Sequence, residues 1–277
     1  MAFFLALLSM LLAQSPGQAG SDFEDLPGFR AVVAKHVGAT IGLDRLPRAV
    51  GLPVEPGVYV TLGRDQMMIF DSPVASMRDG ALAEDAIAAA CESACPAAAF
   101  EAFRTVWFDL ARESKAVVVD FPSRVLFAAD AGVLAHTLVV TAYAASETRT
   151  RGNPSLQLLV HRFVAGVRAR PFFLLPPRGL TLEADTGVLG LRITVQPGGV
   201  YTVDAASPRF QRTIRLQGLE LLRATVADIK KHYPNKEIVQ IEVGTAATLA
   251  DVVGVVVAVE GSFRHVILSA GQRITLR

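Results

Sequence analysis

The pattern of apolar and polar positions alternates with period two in several short runs and with period 3.6 in others. Leu191–Val195, "LRITV", alternates as a half-buried strand does, and "QPGG" after it is turn chemistry. "VYTVD" (Val200–Asp204) completes a β-hairpin. Leu219, Leu222, Val226 and Ile229 then recur at i, i+3, i+7 and i+10, which is one face of an amphipathic helix. Lys230, Lys231 and His232 fall in its last turn, where cations suit the helix dipole, and Pro234-Asn235 ends it. "EIVQIEV" is the next strand, with Ile238, Gln240 and Glu242 on one face. "TLADVVGVVVAVEG" fits either a valine-rich strand or a helix with Leu249, Val252, Val253 and Val256 on one face. "RHVILS" (Arg264–Ser269) closes the unit as a strand.

The same pattern occurs earlier. "VYVTL" (Val58–Leu62), "GRDQ" and "MMIFD" (Met67–Asp71) predict a hairpin of the same size. Thr61 and Asp71 lie 133 positions before Thr194 and Asp204. Phe100, Phe103, Trp107 and Leu110 repeat the helix face 119 positions before its later counterpart. "AVVVD" (Ala116–Asp120) matches "IVQIE" (Ile238–Glu242) at an offset of 122, and Asp130 matches Asp251 at 121. Near-constant offsets point to a tandem repeat. The first copy carries extra residues between Asp71 and Phe100, where "GALAEDAIAAACESACP" predicts an added helical segment. The expected fold is α+β: two tandem two-layer ββαβαβ domains at 51–165, with a cysteine-containing insertion at 72–99, and at 180–277, joined by a linker at 166–179. In that linker "RPFFLLPPRG" (Arg170–Gly179) reads as a strand or linker over the domain junction, or as a partner-docking patch.

Composition narrows the function. Of 277 residues, 51% are hydrophobic, enough for real cores. The net charge is +1 with no basic block, which argues against a nucleic-acid partner. Phe3–Ala13 is an apolar run of eleven residues. A membrane span needs about 20, whereas a signal-peptide core needs about 7–15 followed by small residues. Residues 1–19 are therefore expected to be a signal peptide, with an uncleaved anchor as the alternative, and 20–50 an N-terminal extension. Export places the chain in the periplasm. There a disulfide between Cys91 and Cys95, four apart, is feasible, since helical Cα atoms at i and i+4 lie about 6 Å apart. Unpaired thiols are the alternative; a metal site needs more ligands than the sequence places nearby.

The order of hairpin, amphipathic helix ending at proline, strand, Asp-containing valine-rich helix and "VIL" strand resembles the periplasmic domain of the ExbD/TolR family. The residues that carry it are "LRITVQPGGVYTV", "LELLRATVADIKKHYPNKEIVQIEV" and "TLADVVGVVVAVEGSFRHVILSAG", with a weaker first copy in "VYVTLGRDQMMIFDSPV", "AFRTVWFDLARESKAVVVDF" and "AADAGVLAHTLVV". The resemblance favours a helix for "TLADVV". It implies a non-catalytic binding or scaffold component of a proton-motive-force-driven envelope transport or motility complex. Its partners would be ExbB/TolQ-like or TonB-like proteins or peptidoglycan, with a homodimer as a further form and no cofactor. One departure is plain. The family carries a transmembrane helix with a proton-handling aspartate, and here the apolar run holds no acid, Asp22 being the first.

Catalytic signatures are sparse. G-x-S-x-G, H-E-x-x-H and the P-loop pattern do not occur. The five histidines are dispersed, with His136 in an apolar segment, His232 at a helix end and His265 at a strand edge. Asp130 and Asp251 are expected near helix starts, offsetting unpaired amides, and Tyr59, Tyr201 and Tyr233 in the core or on strand faces. No catalytic, cofactor or metal residue is assigned. An exported enzyme with a divergent site, or a peptidoglycan-binding structural homodimer, is the competing reading.

Overall fold

A computed structural model describes residues 27–83, 87–117, 123–149, 153–162, 166–183, 189–207, 209–210 and 212–277. The expected signal peptide lies outside the described residues. Among them, no helix is long and apolar enough to cross a membrane.

In chain order the elements are helix α1 (Pro27–Thr40), strands β1 (Val58–Leu62), β2 (Gln66–Ile69), β3 (Ser72–Arg78) and β4 (Ala81–Leu82), and helix α2 (Ala97–Val117). Then come β5 (Arg124–Ala129), α3 (Ala135–Glu147), β6 (Ser155–Arg162), β7 (Gly166–Leu174) and β8 (Leu180–Leu182). The rest is β9 (Leu191–Gln196), β10 (Val200–Ala205), β11 (Ile214–Gln217), α4 (Leu219–His232), β12 (Ile238–Val243), α5 (Leu249–Val259), β13 (His265–Ser269) and β14 (Ile274–Leu276). The fold is mixed α and β, as expected.

Twelve strands form one sheet in the order β11-β10-β9-β12-β13-β7-β6-β5-β1-β2-β3-β4. Apart from the two-residue β4 added to the first, the first half, β1 to β6, and the second, β9 to β13, read alike: three antiparallel strands, a helix, a parallel strand, a helix, a parallel strand. Each thus has a third antiparallel strand, β3 or β11, beyond the expected ββαβαβ order. The expected linker contributes β7, which pairs antiparallel with β6 and parallel with β13, so that the halves share a sheet. Pro171 fits in β7 because its neighbour-but-one Ala169 sends its N–H outward, to Leu52 O at 2.9 Å. Position 171 has the same parity, so its missing donor takes no bond from the β6 ladder.

The repeat holds in part. Thr61 and Thr194 occupy equivalent places in β1 and β9, and the helix faces at offset 119 bury Phe103, Leu222 and Val226 completely. Burying each such apolar side chain contributes about 1.5–3 kcal/mol. The strand expected at Ala116–Asp120 is corrected: Ala116 and Val117 end α2, and Asp120 lies outside the described residues. The strand is Arg124–Ala129 instead, whose Val125 and Phe127 stand 114 positions before Val239 and Ile241. The Asp130–Asp251 equivalence therefore dissolves; Asp130 corresponds to Gly244, and both donate their amides at 3.0 Å to the end of the first strand, at Leu62 O and Val195 O.

The layers also differ from expectation. Val60, Phe127, Leu158 and Arg170 form one row across the sheet, on the face carrying α3 and α5. Tyr59, Leu126, Gln157 and Pro171 form the alternate row. α1 covers that second face: the His36 ring meets Tyr59 edge-on at 4.9 Å, and Val33 and Val37 are fully buried. The first half is thus three-layered. In the second half, Leu191, Ile193 and Val195 are buried while Arg192, Thr194 and Gln196 stay half-exposed, the alternation of a sheet with one wetter face.

The halves also meet through two strand-to-helix loops. Ala135 N donates to Ala247 O at 2.9 Å, Leu249 N to Val133 O at 2.8 Å and Ala250 N to Ala131 O at 2.9 Å. The amides at a helix start lack intrahelical partners. In α5, the first two are satisfied by the other half and the third, Asp251, by Thr248 Oγ1 at 3.3 Å; Val252 N then bonds Thr248 O. The Asp251 carboxylate returns a bond to Thr248 N at 3.0 Å, completing a capping box. Gly80 admits this loop pair: a Cβ there would lie 2.7 Å from Val133 Cα, and its φ of +80° suits glycine.

Thr248→Ala removes both the hydroxyl acceptor and the box. We expect a loss of about 1–2 kcal/mol in urea unfolding; an unchanged midpoint contradicts the capping role.

Candidate functional site

Residues from both halves converge on β7. Its inward side chains, Arg170 and Phe172, face α3 and α5 across a mainly apolar cavity of about 190 Å³. Leu138, Leu158, Val252, Val256 and Leu268 line it. Phe172 packs against Phe127 with ring centroids 5.9 Å apart. Arg170 is buried, donates to Val50 O at 3.0 Å and pairs with Glu260 at the end of α5. Burial lowers the Arg170 pKa from its ordinary high value. Arg170 and Glu260 also line a second, neighbouring hollow with Arg48, Val50, His161 and Val257, so their ion pair stands between the two. Phe173, Val257, Val50 and Leu52 are exposed apolar side chains along this groove and its strap, with Phe173 and Val50 about 60% exposed.

The strap, residues 46–54, is held by backbone. His161 N donates to Pro47 O at 3.0 Å, and Leu52 and Ala169 exchange bonds at 2.7 and 2.9 Å. The approach at Gly51 leaves no room for a side chain, since a Cβ would meet Ala169 O at 2.8 Å. The apolar groove therefore sits on rigid backbone.

A charged cluster closes the carboxyl ends of β1 and β5. Asp130 is buried, pairs with Arg45, lies 3.8 Å from Arg64 Nε and accepts Gly132 N at 2.8 Å. It sits in the loop before α3, not in that helix's first turn, so its expected capping role is corrected: it ties two loops together. Asp251, by contrast, stands in the first turn of α5 as expected. Both carboxylates are thus engaged in holding loops, and the structure does not assemble them with the histidines into an acid–base site.

The other residues singled out in the sequence are dispersed. His232 ends α4 with Nδ1 2.9 Å from Asp228 O, and His265 is exposed at the start of β13. Tyr201 is buried beside α5, where burial and the Asp251 charge raise its pKa. Tyr233 donates to Arg209 O at 3.1 Å. Cys91 and Cys95 form a disulfide with Cα atoms 5.6 Å apart. They lie in turns before α2; the described part of the 72–99 segment forms β3, β4 and turns where a helix was expected, with α2 starting at Ala97.

Three important residues carry no signal in sequence. Arg170 resembles any scattered arginine. Tyr143 donates to Leu175 O at 2.7 Å, and its hydroxyl also lies 3.0 Å from Gln272 Oε1, linking α3 to the second half. Gln240, on the strand face with Ile238 and Glu242, is buried and donates to Ser269 Oγ and Gln272 O at 2.7 and 2.6 Å.

No family model matches the chain, and no curated protein matches it. Among solved structures it is similar to the ethanolamine utilization protein EutJ from Carboxydothermus hydrogenoformans, at 11% identity over 88% of this chain and 93% of that one, with a TM-score of 0.21. Likeness at that level assigns neither fold nor function.

Burial lowers the pKa of His136, and also that of His36, where Asp71 partly opposes it. The unfolded chain then binds more protons as pH falls through the ordinary value of about 6.5. Stability from the neutral rings is complete above that pH and is lost as pH drops toward the lower folded values. Tm should be level above about pH 7 and fall below about 6.5, less steeply in His136→Asn. A level Tm across that range contradicts this.

Proposed function

We propose that this protein is a non-catalytic binding or scaffold component, and that the groove beside β7 receives an apolar segment of a partner protein. The observation that carries the reading is an apolar cavity lined by exposed Phe173, beside a second hollow with exposed Val257 and Val50, on one strand-and-strap frame. Exposed contiguous apolar surface of this kind marks interaction sites. Arg48, Arg170 and Arg264 line the two hollows against the single acid Glu260, so the rim is net positive. The fitting occupant is an apolar segment flanked by acidic residues.

The matched strand order of the two halves supports reading them as a tandem duplication, near 51–165 and 180–277. The ExbD/TolR resemblance in sequence motivates an exported protein working beside an ExbB/TolQ-like or TonB-like partner in the periplasm.

The test is affinity capture of the tagged full chain from solubilised envelope of its source cells, with and without Phe173→Asp. That substitution puts a charge on an exposed lip while leaving the core intact. We expect an ExbB/TolQ-like or TonB-like protein with the parent chain, and at least tenfold less with the variant. Equal recovery by both contradicts the groove assignment. Recovery of only the chain itself or of cell wall contradicts the envelope-complex reading.

A further inference from the structure

We infer that the Cys91–Cys95 turn, when its disulfide is reduced, is a binding site for one zinc ion, with Glu147 as the third protein ligand. The two sulfurs and a Glu147 carboxylate oxygen lie within 4.8 Å of one another, although Glu147 is more than fifty residues distant in sequence. Two thiolates and a carboxylate at this spacing suit a tetrahedral, borderline-soft divalent ion, with its fourth position open to water.

The site is built on fixed backbone. Glu147 is the last residue of α3, and its carboxylate accepts Glu92 N at 2.7 Å and Ser93 N at 3.1 Å. Cys95 N points at Cys91 Sγ at 3.2 Å, a donor that favours a thiolate there. Ala88 N donates to Cys95 O at 2.9 Å and Cys91 N to Ala88 O at 3.0 Å, closing the turn. Glu92 is held outward by a two-point pair with Arg178 at 2.6 and 3.1 Å, which leaves Glu147 as the acid beside the sulfurs. Ser93, between the cysteines, has a buried hydroxyl without a hydrogen-bond partner among the described residues, so the turn holds an unspent polar group next to the ligands. Trp107 Nε1 donates to Ala145 O at 3.1 Å, pinning the end of α3 from the other side.

The chemistry balances with a small dithiol as reductant. It takes over the sulfur–sulfur bond as its own disulfide and delivers two electrons and two protons, leaving two thiols. One Zn²⁺ then displaces the two thiol protons. Disulfide and zinc are thus mutually exclusive occupants of one turn, and zinc shields the thiols from reoxidation.

The test titrates Zn²⁺ into the full chain in two forms, oxidised and pre-reduced, with alkylation of the thiols as a second readout. We expect one zinc per reduced chain, none on the oxidised chain, protection of both thiols, and release of about two protons per ion where the thiols start protonated. Cys91→Ser should abolish tight binding. Glu147→Gln, whose amide oxygen keeps one of the two amide bonds from the turn, should lower the Tm slightly in both redox forms and weaken zinc at least tenfold. Absence of stoichiometric binding by the reduced chain overturns the site. Unchanged affinity in Glu147→Gln overturns the third ligand.

Discussion

The fold depends on an exchange of backbone hydrogen bonds between two loops that belong to different halves of the chain. Ala135, Leu249 and Ala250 begin helices, and their amides would otherwise have no partner within those helices. Each instead finds a carbonyl in the opposite strand-to-helix loop. Unpaired buried amides are costly, so neither helix start is complete without the other half. This is why two halves of like strand order share one twelve-stranded sheet and one core.

The shared strand β7 follows from the same constraint. Once the loops hold the halves together, a gap remains between β6 and β13, and Gly166–Leu174 fills it. The inward side chains of β7 then face helices from both halves, and the apolar groove is the space these helices do not fill. The groove thus belongs to the junction and to neither half alone. Arg170 sits where strap, strand and α5 meet, bonding Val50 and Glu260 at once.

The parts of the fold legible in sequence are those where a strong period met burial on one side. The hairpins β1–β2 and β9–β10 and the faces of α2 and α4 are of this kind. The period alone left α5 open between strand and helix; the capping box of Thr248 and Asp251 is what the structure adds. The third strands were hidden for a physical reason: β3, "SPVASMR", is mostly exposed near the sheet edge, and β11 is only four residues long. Strand β5 was masked by the valines just before it, of which Val117 ends α2. Of the groove, the sequence offered only the docking-patch alternative at Arg170–Gly179; its other walls, Leu138 and Val256 among them, join it through tertiary contact alone. The prolines of "RPFFLLPPRG" left strand and linker both open, and the parity of the missing Pro171 amide shows why a strand tolerates it.

The most direct test of the central claim is hydrogen exchange at the amides of Ala135, Leu249 and Ala250. First-turn amides normally exchange fast, by local fraying. Exchange as slow as that of the buried amides of β5 and β12 is the predicted result, because opening them requires the halves to separate. Rapid exchange at these three positions, with the strands still protected, would contradict the account and make the halves independent units.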